Sequence, residues 1–164
     1  MATIKQIGIG RKTSGTIDGI TYVTRNGVTY ARTTPSMPAR MFKTPAALKR
    51  QAIFKMVQMH LRYHQNVIKQ TFTPKGNGTP YNRYHAENGK HLTCALSSLA
   101  DRWVAGDVIT ITEVEAAISA YATEHPDAIK IAMKNGFEVV FLTGEWPETI
   151  TLSSSGSSTT VTVA

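Results

Sequence analysis

His60 and His64 stand four residues apart in MVQMHLRYHQNV, a spacing that puts both imidazoles on one face of a helix. Two histidines so placed can share a metal ion. The metalloprotease pattern also needs a glutamate between them as base, and the residues there are Leu61, Arg62 and Tyr63. Cationic neighbours oppose a dication as well. The pair therefore reads as partly buried histidines on a packing stripe, and no metal site is expected. His85, His91 and Cys94 follow in HAENGKHLTC, at spacings that match no zinc pattern. Cys94 is the single cysteine, which excludes an internal disulfide and a zinc centre built on cysteines. Without an orienting residue or an oxyanion loop it reads as a small buried thiol, not a nucleophile. The acids Asp107, Glu113, Glu115, Glu124 and Asp127 sit in one stretch. Paired acids can hydrolyse glycosides, but nothing sets two of these around an aromatic cleft, and a solvated helix face is expected. The opening GIGRKTSG lacks the spacing of a phosphate-cradling loop and precedes a strand-like stretch instead of opening a helix. No reaction is specified. The chain reads as non-enzymatic, with no cofactor and no small-molecule substrate.

Charge carries more information than any of these motifs. The first hundred residues hold 15 Lys or Arg against Asp18 and Glu87, a balance of +13. The remainder hold Arg102, Lys130 and Lys134 against nine acids, a balance of −6. Such polarity suits contact with a polyanion, or head-to-tail packing of identical subunits, or neutralisation of one half by the other. The basic residues are interleaved with Tyr22, Tyr30, Tyr63, Tyr81 and Tyr84. The candidate contact residues, toward nucleic acid or a neighbouring subunit, are Arg11, Lys12, Arg25, Tyr30, Arg32, Arg40, Lys43, Lys49 and Arg50. Phosphate binding through them would be largely independent of sequence and sensitive to salt.

The elements that position these residues follow from periodicity and turn chemistry. With 164 residues, 41% hydrophobic and 18% charged, the chain can bury a core. It shows neither a secretory leader nor an apolar run long enough to span a membrane, so a soluble protein is expected. Asn26-Gly27 predicts a two-residue hairpin in which Arg25 faces Val28, Val23 faces Tyr30 and Thr21 faces Arg32. Thr44-Pro45 opens a long amphipathic helix whose stripe runs Leu48, Ala52, Ile53, Met56, Val57, His60, Leu61, His64, Val67 and Ile68. Thr79-Pro80 opens another, which Gly89 ends or bends, with Leu92, Leu96, Leu99 and Trp103 on one side beyond it. Thr112 and Glu115 form a capping box for EVEAAISAYATE, which Pro126 closes. Alternation around Asn135-Gly136 predicts a second hairpin, with a short helix over 127–134 as its rival. Ile150, Leu152, Val161 and Val163 suggest a last strand pair around SSSGSS, in a serine-rich tail that composition alone would call disordered. The expected fold is α+β: an N-terminal β-hairpin, a long central amphipathic helix, further helices and C-terminal strands. Residues 1–19 form an arm and 20–164 one domain, basic over 20–100 and acidic over 101–164.

One resemblance adds to this reading. Lys5-Gln6, Gly8, Gly10, Ser14-Gly15, Ile17 and Gly19, then Arg25-Asn26-Gly27, Tyr30 and Arg32, look like the N-terminal signature of a family of short Bacteroidetes proteins known as a domain of unknown function. Thr44, Ala47, Leu48, Gln51 and Phe54-Lys55 are similar to the helix that follows there, and NGTPYNRYHAENG is similar too. The likeness covers roughly the first half of the chain, and its order of short motifs carries it. It transfers no catalytic or binding residue. It implies a chain from a gut Bacteroidetes bacterium or one of its tailed phages. The function expected is a structural subunit of a phage particle: a ring, connector or head-associated protein. Its expected partners are copies of itself, other virion proteins and double-stranded DNA. Its expected location is the virion, assembled in the host cytoplasm, or the cytoplasm itself outside a phage. A sequence-independent DNA-binding accessory protein is the alternative.

Overall fold

Strand alternation near the start of the chain produces a sheet among the described residues. The computed structural model describes residues 3–4, 15–17, 19–25, 28–34 and 43–163. Its contacts divide the chain into two units, Met1–Phe42 and Lys43–Ala164, so the hairpin groups with the N-terminal stretch and not with the helices.

In the first unit, β1 (Thr3–Ile4), β2 (Gly15–Ile17), β3 (Ile20–Arg25) and β4 (Val28–Thr33) form an antiparallel sheet in the order β1-β4-β3-β2. The central register pairs Arg25 with Val28, Val23 with Tyr30 and Thr21 with Arg32, as the two-residue connection requires. Asn26 and Gly27 themselves lie outside the described residues. Thr24 and Thr29 join side chains across the pair at 2.9 Å. None of the described side chains of this sheet is buried, and Ile20 and Tyr30 are each 39% exposed.

Among its described residues, the second unit is built of five helices and two strand pairs. Helix α1 (Pro45–Tyr63) begins as proline at the first helical position dictates, with the Thr44 hydroxyl accepting from the Ala47 N–H. The expected stripe is buried from Ala52 to Ile68, whereas Leu48, one turn into α1, is 38% exposed. The helix does not run unbroken. His64, at φ −97° and ψ 22°, separates α1 from α2 (Gln65–Thr71), although His64 N–H still donates to the His60 carbonyl and Ile68 N–H to that of His64. Thr79 caps α3 (Pro80–Ala95), which passes straight through Gly89 and ends at Leu96. Helix α4 (Ser97–Ala105) closes at Gly106, whose φ of 108° is the left-handed cap that glycine adopts without a Cβ penalty.

The capping box of α5 (Ile111–Glu124) lies two residues earlier than the sequence reading placed it. Thr110 and Glu113 form it, not Thr112 and Glu115. Ile109 before the cap and Val114 four positions into the helix are both buried, which is the apolar staple that fixes this start. Glu115 is thereby released from the helix end and set on an inward face.

Beyond α5, β5 (Lys130–Ala132) and β6 (Val140–Phe141) pair antiparallel, so the hairpin prevails over the short helix. Asn88 of α3 holds β5 as a strand partner would: its Nδ2 donates to the Lys130 carbonyl at 2.7 Å and its Oδ1 accepts the Lys130 N–H at 2.9 Å. The end of α2 joins the other end of β5, with Met133 N–H donating to Thr71 and Thr73 N–H to Met133. Finally β7 (Thr149–Ser154) and β8 (Ser157–Thr162) form the last hairpin, burying Ile150, Leu152 and Val161 on one face. Apolar alternation outweighs the serine-rich composition there. The core of this unit joins Met56, Ile68, Tyr84, Leu92, Leu96, Ile118, Ile129, Leu142 and Leu152. The fold class is α+β: in chain order, an N-terminal hairpin precedes the helices and a C-terminal hairpin follows them.

Candidate functional site

Four elements of the second unit converge on one polar cluster inside otherwise apolar packing. His60 and His64 come from the end of α1 and the break after it, Glu115 from the first turns of α5, Tyr84 from α3 and Trp146 from the loop before β7. Both histidines are buried, at 0% and 3% exposure. His60 Nδ1 lies 2.7 Å from one Glu115 oxygen and His64 Nε2 lies 2.8 Å from the other. An ionised carboxylate only accepts, so both imidazoles donate. The second nitrogen of His60, Nε2, is 2.7 Å from the Tyr84 hydroxyl. With Nδ1 protonated, neutral His60 must accept there, and Tyr84 donates.

The electrostatics agree with that proton order. Burial lowers the His60 pKa against the opposing pull of Glu115, which favours the neutral ring. For Glu115 burial works the other way, but the hydrogen bonds and electrostatic attraction of His60 and His64 together outweigh it and hold its carboxyl down at about 2. Burial, and next the nearby Glu115 charge, push the Tyr84 phenol far up, so it stays a hydroxyl. The aromatic packing is equally specific. Trp146 stacks on the His64 ring at 3.9 Å and 16°, and Tyr63 meets that ring edge-on at 4.9 Å. The Trp146 Nε1 donor is buried and has no acceptor among the described residues. The cluster opens through His64 and Glu115 onto a cleft of about 350 Å³ lined also by Tyr63, Thr112, Ser119, Glu145 and Trp146.

The acidic stretch and the lone thiol differ from the sequence reading. Glu115 is not on a solvated face; its side chain is 18% exposed. Cys94 is exposed, not buried. Tyr84 is not a surface tyrosine but wholly buried. Glu115 is the residue that sequence reasoning missed, because it was assigned to the helix cap.

The candidate contact residues do not gather around this cluster. Arg11, Lys12 and Arg40 lie outside the described residues, and Arg25 is described as a strand position only. Tyr30 and Arg32 are exposed on β4, and Lys43 is exposed before α1. Lys49 pairs with Asp101 at 2.7 Å, and Arg50 donates to the Ala46 carbonyl. That Lys49–Asp101 pair joins a base of the first hundred residues to an acid of the remainder. The Lys130–Glu87 pair joins them with the signs reversed. Among the described residues, exposed Arg32, Lys43, Arg62, Lys69, Lys75 and Lys90 have no ion-pair partner, and neither do exposed Glu124, Asp127, Glu138, Glu145 and Glu148. Among the described residues, these charges of both signs stay unneutralised by pairing.

Compared with known proteins, the chain finds no match: no protein-family model, no curated protein and no solved structure matches it. Among the described residues no helix is long and apolar enough to cross a membrane.

Proposed function

We propose that the protein is a non-enzymatic structural subunit that works by repeated contact with copies of itself and with neighbouring proteins. One observation carries this reading: the N-terminal sheet buries none of its described side chains, while exposing Ile20 and Tyr30. A small sheet whose described side chains are at most half-buried gains stability when a second surface covers it. The unpaired bases and acids support the same reading, because opposite charges left over in one chain suit head-to-tail contact between subunits. We further propose that such a subunit belongs to a tailed-phage particle, as a ring, connector or head-associated protein, which is the setting that the resemblance read in the first half of the sequence suggests.

Hydrogen exchange tests this at the sheet itself. Amides of β3 and β4 are expected to gain protection as protein concentration rises, without added DNA. Unchanged exchange across the concentration range would contradict the proposal.

The exposed, unpaired Arg32 and Lys43 favour one second reading, a DNA-binding accessory protein whose basic hairpin lies on phosphates through Arg25 and Arg32. On that reading the same amides become protected only when duplex DNA is added, and the protection disappears at high salt. Arg32→Glu would then weaken binding without changing subunit assembly.

A further inference from the structure

The geometry points to a binding site for a divalent transition-metal ion of the zinc class, formed by His60 Nδ1, His64 Nε2 and the Glu115 carboxylate. These atoms all lie within 4.8 Å of one another. In a tetrahedral zinc site with bonds of about 2.0–2.1 Å, ligand atoms sit about 3.4 Å apart. The present N···O separations of 2.7 and 2.8 Å are hydrogen bonds, so a metal ion needs the carboxylate to withdraw by roughly half an ångström. Glu115 is the group able to do so, being on the open side of the cluster while His60 and His64 are packed in. Each imidazole moves its proton to its other nitrogen and turns a lone pair toward the ion.

The surroundings supply an outer partner for His60 and a stacking partner for His64. The displaced proton of His60 goes to Nε2, which then donates to the Tyr84 oxygen already 2.7 Å away. Trp146, stacked on His64, fixes the orientation of the second ring. Access is through the cleft beside Glu115, which leaves a fourth position open to solvent or to a ligand. Charge favours it too: one carboxylate faces the ion and Glu145 lines the same cleft. Arg62, the cation between the histidines in sequence, is exposed, two residues from each and so on the opposite face of the helix.

Glutamate from a second helix supplies the third ligand that the histidine pair lacks in sequence. Two histidines and a glutamate are the ligand set of mononuclear zinc hydrolases, but Leu61 stands where their base follows the first histidine. The chemistry here is therefore holding, not hydrolysis: the ion ties α1 to α5.

The test uses the full, tag-free chain, stripped with chelator, equilibrated with zinc ion and freed of excess by gel filtration. One equivalent of zinc is expected by elemental analysis, with a higher unfolding temperature than the stripped protein. His64→Ala and Glu115→Gln are expected to weaken binding by more than tenfold, Tyr84→Phe by about tenfold through the loss of the outer hydrogen bond, and the exposed-site control His85→Ala not at all. Wild-type cobalt(II) absorption provides a readout that needs no variant to fold: the intense visible bands of a four-coordinate ion are expected. No retained zinc, the weak bands of an octahedral hydrated ion, or binding unchanged in both His64→Ala and Glu115→Gln would each overturn the proposal.

Discussion

His60 and Glu115, 55 residues apart in sequence, are joined by a 2.7 Å hydrogen bond that begins an ordered chain of donors. Glu115 accepts from both buried histidines, and His60 in turn accepts from Tyr84. Removing the shared acceptor leaves two buried N–H groups without a partner. In the metal-free protein Glu115→Ala is expected to cost about 2–4 kcal/mol, and Glu115→Gln about 1–2 kcal/mol, because an amide oxygen can still serve one of them. Urea unfolding midpoints of the two variants check the order. An alanine variant as stable as wild type would remove the structural role assigned to this acid.

The two threonines before α5 have different jobs. Thr110 caps the helix, so Thr110→Ala is expected to destabilise by about 1 kcal/mol. Thr112 lies inside the first turn on the exposed side, and Thr112→Ala is expected to stay within about 0.5 kcal/mol of wild type. Thermal unfolding of the pair distinguishes them, and equal losses would restore the later helix start.

Glu87 links α3 to β5 by accepting from Lys130 at 2.6 Å and Arg83 at 3.1 Å. The Lys130 hydrogen bond lowers its pKa from the ordinary 4.5. A carboxylate held below its unfolded value adds stability that is complete above that value and is lost as pH falls through the folded one. The stability gap between wild type and Glu87→Gln is therefore expected to be widest near neutral pH and to narrow below about 4.5. Urea midpoints measured from pH 7 to pH 3 give the curve. A gap that widens on acidification contradicts the linkage.

Trp146 contributes through its ring face and not through its nitrogen. Its Nε1 has no acceptor among the described residues, so Trp146→Phe is expected to cost less than about 1.5 kcal/mol. Trp146→Ala removes the stack on His64 and is expected to cost about 2–3 kcal/mol, at the low end for an aromatic because the ring is part exposed. If the phenylalanine variant is hurt as much as the alanine one, the indole N–H has a partner that matters.

These residues also show how far the sequence could be read. Element types came from strong local signals: proline after threonine opened α1 and α3, and Asn-Gly set the register of β3 and β4. The buried stripe followed from helical spacing alone. What failed was the choice between overlapping signals. DVITITEVE holds two capping boxes in different registers, Thr110 with Glu113 and Thr112 with Glu115. The deciding feature was the apolar staple of Ile109 and Val114, which only the earlier start supplies. That two-residue shift concealed the site, since an acid assigned to a cap is not sought as a partner for two histidines. The break at His64 had no glycine or proline to announce it. It coincides with the ring that Glu115 and Trp146 hold, a long-range arrangement with no local trace. The exposure of Cys94 was hidden for a similar reason, since helical spacing gives a phase and not the identity of the neighbours.

Assembly is tested most directly by the mass of the full chain in solution. Light scattering at low and high salt, with and without duplex DNA, separates the readings. A closed oligomer well above the 17.9 kDa of one chain, formed without DNA, is the expected result. A 17.9 kDa monomer at every protein concentration, gaining mass only when DNA is present and losing it again in salt, would contradict a structural subunit that works by contact with its own copies.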